Sequence, residues 1–409
     1  MSDFGVIHAE RIRAAAPAVQ AVAKNRAQRG AAAPETHSAA REARALLGVL
    51  KRCYEASRSL AAIQAAPLIL PQRGHKYDEA RAELYAAGLE PGMMVLPSSA
   101  TNPGVSPRAL VATLQALPML RRCRRSRRLK PYAEVLACAT AFTWVLRRRE
   151  EEAHWIIVGD LSPFLIALAA ACRGSGQRVV YWQYSYLDFK PLPVSADAAI
   201  LLNDTGRKLA CIGPTSPAYW RPREAVRPVR LDGLGEGSVG AMLNVQADER
   251  ALERLEALAR RLGRPVEVRL HPNSTLARHP WPETLSEADT DEDLADFVRR
   301  HKVLVAGNTQ AQAKALTLGT PVVQLAGLDP LPFDHHEYVR NGIVLGIQSL
   351  EQFSFEAVRA FYADERYQEE LSALMGPPPE ARKPGLEQFI AHLMRRGYKA
   401  HPLYSEDSL

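Results

Sequence analysis

Two periodicities take turns along this chain. Short, uninterrupted apolar runs such as WIIVGD (155–160) and KVLVAG (302–307) alternate with longer stretches whose apolar residues return every three to four positions. The runs read as strands buried on both faces, the longer stretches as helices with one apolar side. In order, the pattern predicts a helix over 39–62, the strand PLILPQ, a helix over 76–87 closed by Gly88, the strand MMVLPSS, helices over 107–117 and 131–149, the strand WIIVGD, the helix FLIALAAACRGSG and the strand VVYWQYS. AILLND (199–204) then precedes IGPTSPAYWRPREAVRPV, whose prolines mark a connecting segment. Beyond it come the strand VGAMLNV, a helix over 248–262 stopped at Gly263, VEVRLHP, a helix over 291–300, KVLVAG, a helix over 309–318, PVVQL, and one more helix and strand within FDHHEYVRNGIVLGI.

Strands without alternation, joined by helices, make a parallel sheet covered on both sides, and here the grammar runs twice. The expectation is an α/β chain of two doubly wound domains, which suits its 409 residues. Residues 1–35 form an N-terminal helix and linker, 36–194 a first domain, 195–380 a second, and 381–409 a C-terminal helix. Ligands of such sheets sit outside the carboxyl ends of the strands, so the chemistry is sought there.

Composition narrows the class. Apolar residues make up 47% of the chain, a globular share, and no run reaches the ~18 apolar residues of a membrane span. The opening MSDFGVIHAERIR lacks the apolar stretch of a secretory signal. Five cysteines, scattered and never in a CxxC spacing, fit a reducing cytoplasm better than a disulfide framework or zinc site. The formal charge of +7 is concentrated in RRCRRSRRLK (121–130). That cluster is a solvated helix face, a patch for an anionic membrane or polyanion, or, least of all since no aromatics interleave, a nucleic-acid contact.

Two strand ends carry the candidate chemistry. In VEVRLHPNST, His271 ends a strand and Pro272 turns the chain out of the sheet, with Asn273 next. The imidazole either donates to a phosphate or carboxylate oxygen or caps a neighbouring turn. In AGNTQAQ, Gly307 permits close backbone approach and Asn308 or Thr309 caps a helix whose first residues include Gln310. Free N–H groups there would face an anion, or the cap is an ordinary one. Together the two ends are expected to converge on one phosphate.

The pairing of LHPN with AGNTQAQAKALTLGTPVV resembles the C-terminal domain of bacterial GT-B glycosyltransferases that build capsules, lipopolysaccharide or teichoic acids from CMP-sialic acid, CMP-Kdo or CDP-linked polyols. VGDLSPFLIALAAACRGSGQRVVYWQYS likewise resembles the last strand-helix-strand of their N-terminal domain, so the likeness spans roughly 155–348. It departs in two places: the small hydroxyl pair is Asn308-Thr309, and Tyr184 stands where a histidine is frequent. The resemblance implies two facing Rossmann-like domains, a C-terminal helix returning to the first, and a metal-independent transferase. It implies no cofactor beyond a nucleotide-sugar donor, CMP-linked by preference, with a glycan or lipid-linked acceptor. The enzyme would be cytoplasmic, with Arg121 to Lys130 on the acceptor side to hold either the inner face of the membrane or a growing anionic glycan. His271, Asn308 and Thr309 would cradle the departing phosphate, with Arg269 or Lys314 as helpers. Direct displacement also needs a base for the acceptor hydroxyl, and the expected candidates are Asp160, His75 and Asp188, although Asp160 is equally placed to cap a helix. Within LDPLPFDHHEYVRNG, adjacent histidines leave different faces of a helix and no spaced third ligand follows, so a substrate loop is expected rather than a metal site. Asp329 or Glu337 would meet a ribose or sugar hydroxyl. A 2-epimerase of the same fold and a non-enzymatic polyanion binder remain as alternatives.

Overall fold

The computed structural model describes residues 39–63, 66–71, 75–93, 106–125, 132–149, 151–159, 163–184, 196–203, 206, 216–221, 226–274, 276, 281–289, 291–375 and 385–395. Residues 1–38 lie outside them.

Among the described residues, two parallel six-stranded sheets organise the chain. The first comprises β1 (Leu68–Leu70), β2 (Gly92–Met93), β3 (His154–Val158), β4 (Arg178–Trp182), β5 (Ala198–Leu201) and β6 (Ala218–Trp220), in the order β2-β1-β3-β4-β5-β6. The second comprises β7 (Val239–Met242), β8 (Val266–Arg269), β9 (Leu285–Glu287), β10 (Val303–Ala306), β11 (Val322–Leu325) and β12 (Leu345–Ile347), in the order β12-β11-β10-β7-β8-β9. The second order is the 3-2-1-4-5-6 winding of a Rossmann sheet and the first begins 2-1-3-4-5, as flavodoxin-like sheets do, so the expected α/β class with two doubly wound sheets is what the chain forms. The central strands β3, β5, β7, β10 and β11 are buried at every position, which is why their sequences show no alternation.

Helices α1 (Ala39–Ala62), α2 (His75–Ala86), α3 (Pro107–Arg125), α4 (Ala133–Leu146) and α5 (Pro163–Gly174) accompany the first sheet. The second sheet carries α6 (Glu249–Leu262), α7 (Leu294–Arg300), α8 (Ala311–Thr317), α9 (Phe355–Tyr362) and α10 (Glu365–Met375). Capping chemistry sets the ends: the Asp248 side chain accepts the Arg250 N–H at 3.1 Å, and Gly263, at φ 63°, stops α6 in the left-handed conformation. The last described helix, α11 (Leu386–Arg395), buries Leu386, Phe389, Ile390 and Leu393 in the first core, not the second.

Four expectations need correction. IGPTSPAYWRPREAVRPV is not merely a connection, because Ala218–Trp220 pairs in parallel with β5 as the sheet's edge. Arg221 locks that edge down, donating to Glu83 at 3.0 Å, to Glu79 at 3.2 Å and to the Gln183 carbonyl at 3.3 Å. The first domain therefore does not end at 194: β5 and β6 belong to its sheet, and the chain passes into the second core between 221 and 226, where Val226 packs. Helix α3 continues through Pro118 to Arg125, since that proline lies on the exposed side. Lastly, FDHHEYVRNG makes turns instead of a helix. Asp334 and Glu337 take positive φ, 57° and 61°, and the Asp334 carboxylate accepts the Val339 and Arg340 N–H groups at 2.9 and 2.7 Å, a local alternative to helical bonding.

Candidate functional site

The second sheet reverses its winding between β7 and β10, and crevices at such switch points are where open α/β sheets take ligands. Two residues past β7, Asn244 donates from Nδ2 to the Asn308 carbonyl at 3.0 Å, while its Oδ1 accepts the Gln246 N–H at 2.8 Å. The side chain thus joins the ends of the two strands that flank the crevice. The sequence pattern did not single out Asn244; the available signal was an asparagine just past the apolar run VGAML, at a strand terminus like that of Asn308.

His271 stands at the end of β8, on the far side of β7. The ends of β8 and β10 are therefore two strand spacings apart, about 10 Å, with β7 between them. The half-buried His271 ring accepts the Asn273 N–H at Nδ1, 3.1 Å away. Its proton then sits on Nε2, and burial holds its pKa below the ordinary imidazole value. His271 is a neutral hydrogen-bond donor rather than a cation. Pro272 and Asn273 are exposed turn residues, and the Ser274 N–H closes the turn on the His271 carbonyl at 2.8 Å.

At the end of β10 the arrangement differs from expectation. The N–H groups at the start of α8 are not free for a ligand: Asn308 N–H donates to Asp329 Oδ2 at 2.6 Å, Thr309 N–H to the Gly307 carbonyl at 3.0 Å, and Ala311 N–H to Thr309 Oγ1 at 3.3 Å. The chain's own carboxylate occupies the position an incoming anion was expected to take. The Asn308 side chain is equally engaged, giving Nδ2 to Asp329 Oδ1 at 3.0 Å and accepting Gln324 Nε2 at 3.1 Å and the His335 N–H at 2.7 Å. Gln312 extends the network, donating to Gly307 O at 2.5 Å and to Gln324 Oε1 at 3.3 Å. Gly307 is required by this network: a Cβ there would lie 2.3 Å from Asp329 Oδ2.

Asp329 is buried and both of its carboxylate oxygens accept from the chain, Oδ2 from the Asn308 N–H and Oδ1 from Asn308 Nδ2 and, at 2.9 Å, the Leu331 N–H. The loop after β11 is drawn to the crevice by His335, whose ring meets His336 edge-on at 5.3 Å; His336 in turn stacks on Tyr338 at 5.6 Å. Glu337, half-buried in its left-handed conformation, belongs to the same loop, and Gln310 is the half-buried residue that leads into α8. Among the described residues no three His, Cys, Asp or Glu side chains gather into a metal-holding group. Arg269 points away from the crevice, its guanidinium lying 5.9 Å over the Phe297 ring and 4.0 Å from Glu292.

In the first sheet the switch point lies between β1 and β3. His75 opens α2 just after β1, and Asp160 follows Gly159 at the end of β3. Asp160 and Asp188, and the side chain of His75, lie outside the described residues. The described part of this edge is built by Gly159, at φ 40°, whose Cβ would stand 2.7 Å from that of Tyr184. Lys76 Nζ lies 5.2 Å from the Tyr184 ring centre, and burial, then Glu79, push the Tyr184 phenol up, so it is protonated near neutrality.

No family model and no curated protein matches the chain in sequence. Among solved structures it is similar to the glycosyltransferase SnogD from Streptomyces nogalater, at 14% identity over 81% of this chain and 99% of that one, TM-score 0.44. It is also similar to UDP-GlcNAc 2-epimerase from Methanocaldococcus jannaschii, at 10% identity over 80% and 99%, TM-score 0.42, and to MurG from Acinetobacter baumannii, at 10% over 80% and 97%, TM-score 0.39. At these values the likeness carries neither activity nor ligand to this chain.

Proposed function

We propose that this chain is a glycosyltransferase of GT-B type that moves a sugar from a nucleotide-activated donor, CMP-linked by preference, to a glycan or lipid-linked acceptor of a bacterial surface polysaccharide. The supporting observation is His271: its tautomer is set by the Asn273 N–H, leaving Nε2–H as a neutral donor beside the β7–β10 switch point. A donor phosphate above the end of β7 would lie between His271 Nε2 and the Thr309 hydroxyl. Held there, it stays clear of the Asp329 carboxylate, which would repel it at the start of α8.

In this reading the acceptor hydroxyl attacks the anomeric carbon, the bond to the donor phosphate breaks, and the acceptor proton passes to a base at the first sheet's edge. Asp160 and His75 are the proposed bases, since they follow the two strands that flank that sheet's switch point. His271 and Thr309 hydrogen-bond the oxygen on which negative charge accumulates, without a bound metal. The second reading of the basic cluster, an anionic membrane surface beside the acceptor domain, accompanies this assignment.

Thermal unfolding of the protein with CMP-, CDP-, UDP-, GDP- and dTDP-linked sugars tests the donor, because a ligand at a hundred times its Kd adds about 2.7 kcal/mol to stability. One donor class is expected to raise the melting temperature in the wild type and to raise it less in His271→Ala, which lacks one hydrogen bond to the phosphate. Conversion of the donor to an isomer without acceptor would replace the transferase reading with epimerisation.

A further inference from the structure

Helix α3 is built inside out. Its inner face, packed on α1 and α4, buries Ala109, Ala112, Thr113, Ala116, Leu120 and Cys123, mostly small residues. The larger side chains point to solvent: Leu110, Val111 and Leu114 are 46%, 38% and 51% exposed, with Pro118 beside them and Leu117 half-buried at the margin. A helix whose job was to cover the first core would place these the other way round, so the outer face is kept apolar for something else. The last turn then changes character, with Arg121, Arg122 and Arg125 all exposed, and α3 holds no acidic residue.

We infer that this face of α3 docks on an anionic phospholipid bilayer, the leucines entering the headgroup and acyl boundary and the arginines pairing with lipid phosphates. An exposed apolar stripe joined to a cationic turn is the composition of an interfacial helix. Charge decides against the other occupants. A symmetric pair of copies through this face would set each arginine turn against a helix that holds no acidic residue, meeting either the other arginine turn or Arg108 and the positive end of the helix dipole, and nucleic acid would use the arginines but give the leucines no partner. Among the described residues no helix is long and apolar enough to cross a membrane, so contact of this kind is interfacial. The inference deepens the membrane part of the preceding reading by naming the surface. Its test reads binding instead of sugar transfer, so either can fail alone.

Sucrose-loaded vesicles of phosphatidylglycerol and phosphatidylethanolamine, with pure phosphatidylcholine vesicles as the contrast, are sedimented with the full chain. Binding to the anionic vesicles is expected, weakened about a hundred-fold by Arg121→Gln/Arg122→Gln/Arg125→Gln at roughly five-fold per arginine. Leu110→Ser/Leu114→Ser is expected to weaken it by about ten-fold or more, with an unchanged melting temperature because both sites are exposed. Three outcomes overturn the proposal: equal binding to both vesicle types, full binding by the leucine variant, or a wild-type dimer in sedimentation equilibrium that the leucine variant converts to monomer.

Discussion

Asn308 and Asp329 are joined twice, backbone N–H to Oδ2 at 2.6 Å and side-chain Nδ2 to Oδ1 at 3.0 Å. This paired contact ties the end of β10 to the chain after β11, and Gln324, Gln312 and His335 complete it. Replacing Asn308 with alanine leaves Asp329 and Gln324 with unmet hydrogen bonds in a buried place, and a loss of about 3 kcal/mol is expected. Asn308→Asp should be worse, since two carboxylates would then face one another. Urea unfolding measures both; a loss under about 1 kcal/mol for the alanine variant would show the network to be slack.

Gly307 makes that contact possible, so Gly307→Ala is expected to displace Asp329 at a cost of about 1–3 kcal/mol. The informative comparison is a double variant with Asp329→Ala. Removing the carboxylate should relieve the clash, making the two losses less than additive; strict additivity would place the strain elsewhere.

Kinetics should single out His271. His271→Ala is expected to lower kcat on the order of 10²–10³-fold, the usual effect of deleting a hydrogen-bond donor to a developing charge, with little change in unfolding. His271→Gln, which can present an N–H near the position of Nε2, should recover part of that. Because burial lowers the imidazole pKa, kcat/KM should show no loss from this group as pH rises from about 6.5 to 8. A decline that the His271→Gln variant abolishes would mean that the cation is the active form.

Stability should depend on pH with a definite sign. Burial holds His154, His271 and His301 below the ordinary value of 6.5, moderated at His301 by Phe297 and Glu267. The unfolded chain therefore binds more protons than the folded one as pH falls through 6.5, so stability is full above that pH and declines below it. Unfolding free energies at pH 7.5 and 5.5, a window above most carboxylate pKa values, should be lower at 5.5. Equal or higher values there would contradict the assignment.

The thiols should be inert while the protein is folded. Burial pushes Cys123 up to about 11 and raises Cys172, and a hydrogen bond with Cys53, followed by burial, raises Cys138. In a Cys211→Ser background, labelling by a thiol-disulfide reagent at pH 8 is expected to be negligible until urea unfolds the chain; rapid labelling of Cys123 would indicate local opening of α3.

What the sequence disclosed follows from what fixes each element. Buried parallel strands such as WIIVGD and KVLVAG announce themselves because both faces must be apolar, and α6 because Asp248 and Gly263 mark its ends. The edge strand Ala218–Trp220 was hidden: it is short, flanked by prolines, and held by Arg221 reaching Glu79 and Glu83, 142 and 138 residues away. The site was half legible for the same reason. That His271 ends a strand is local, whereas the presence of β7 between it and Asn308, and of Asp329 at the start of α8, depends on strand order and a long-range bond. Turns at Asp334 and Glu337 escaped because their left-handed backbone is imposed by bonds that helical periodicity does not reveal.

The placement of α11 has a consequence for how the molecule can be divided and how it can move. The backbone leaves the first core after Arg221 and returns before Leu386, so the first domain is not one continuous piece of chain. A fragment ending at 221 would lack Phe389 against Tyr219 and expose the bed of four apolar side chains. The two halves are joined by a pair of crossings, so any turn of one half against the other carries both strands of backbone with it, as the two pins of a hinge do and a single swivel does not.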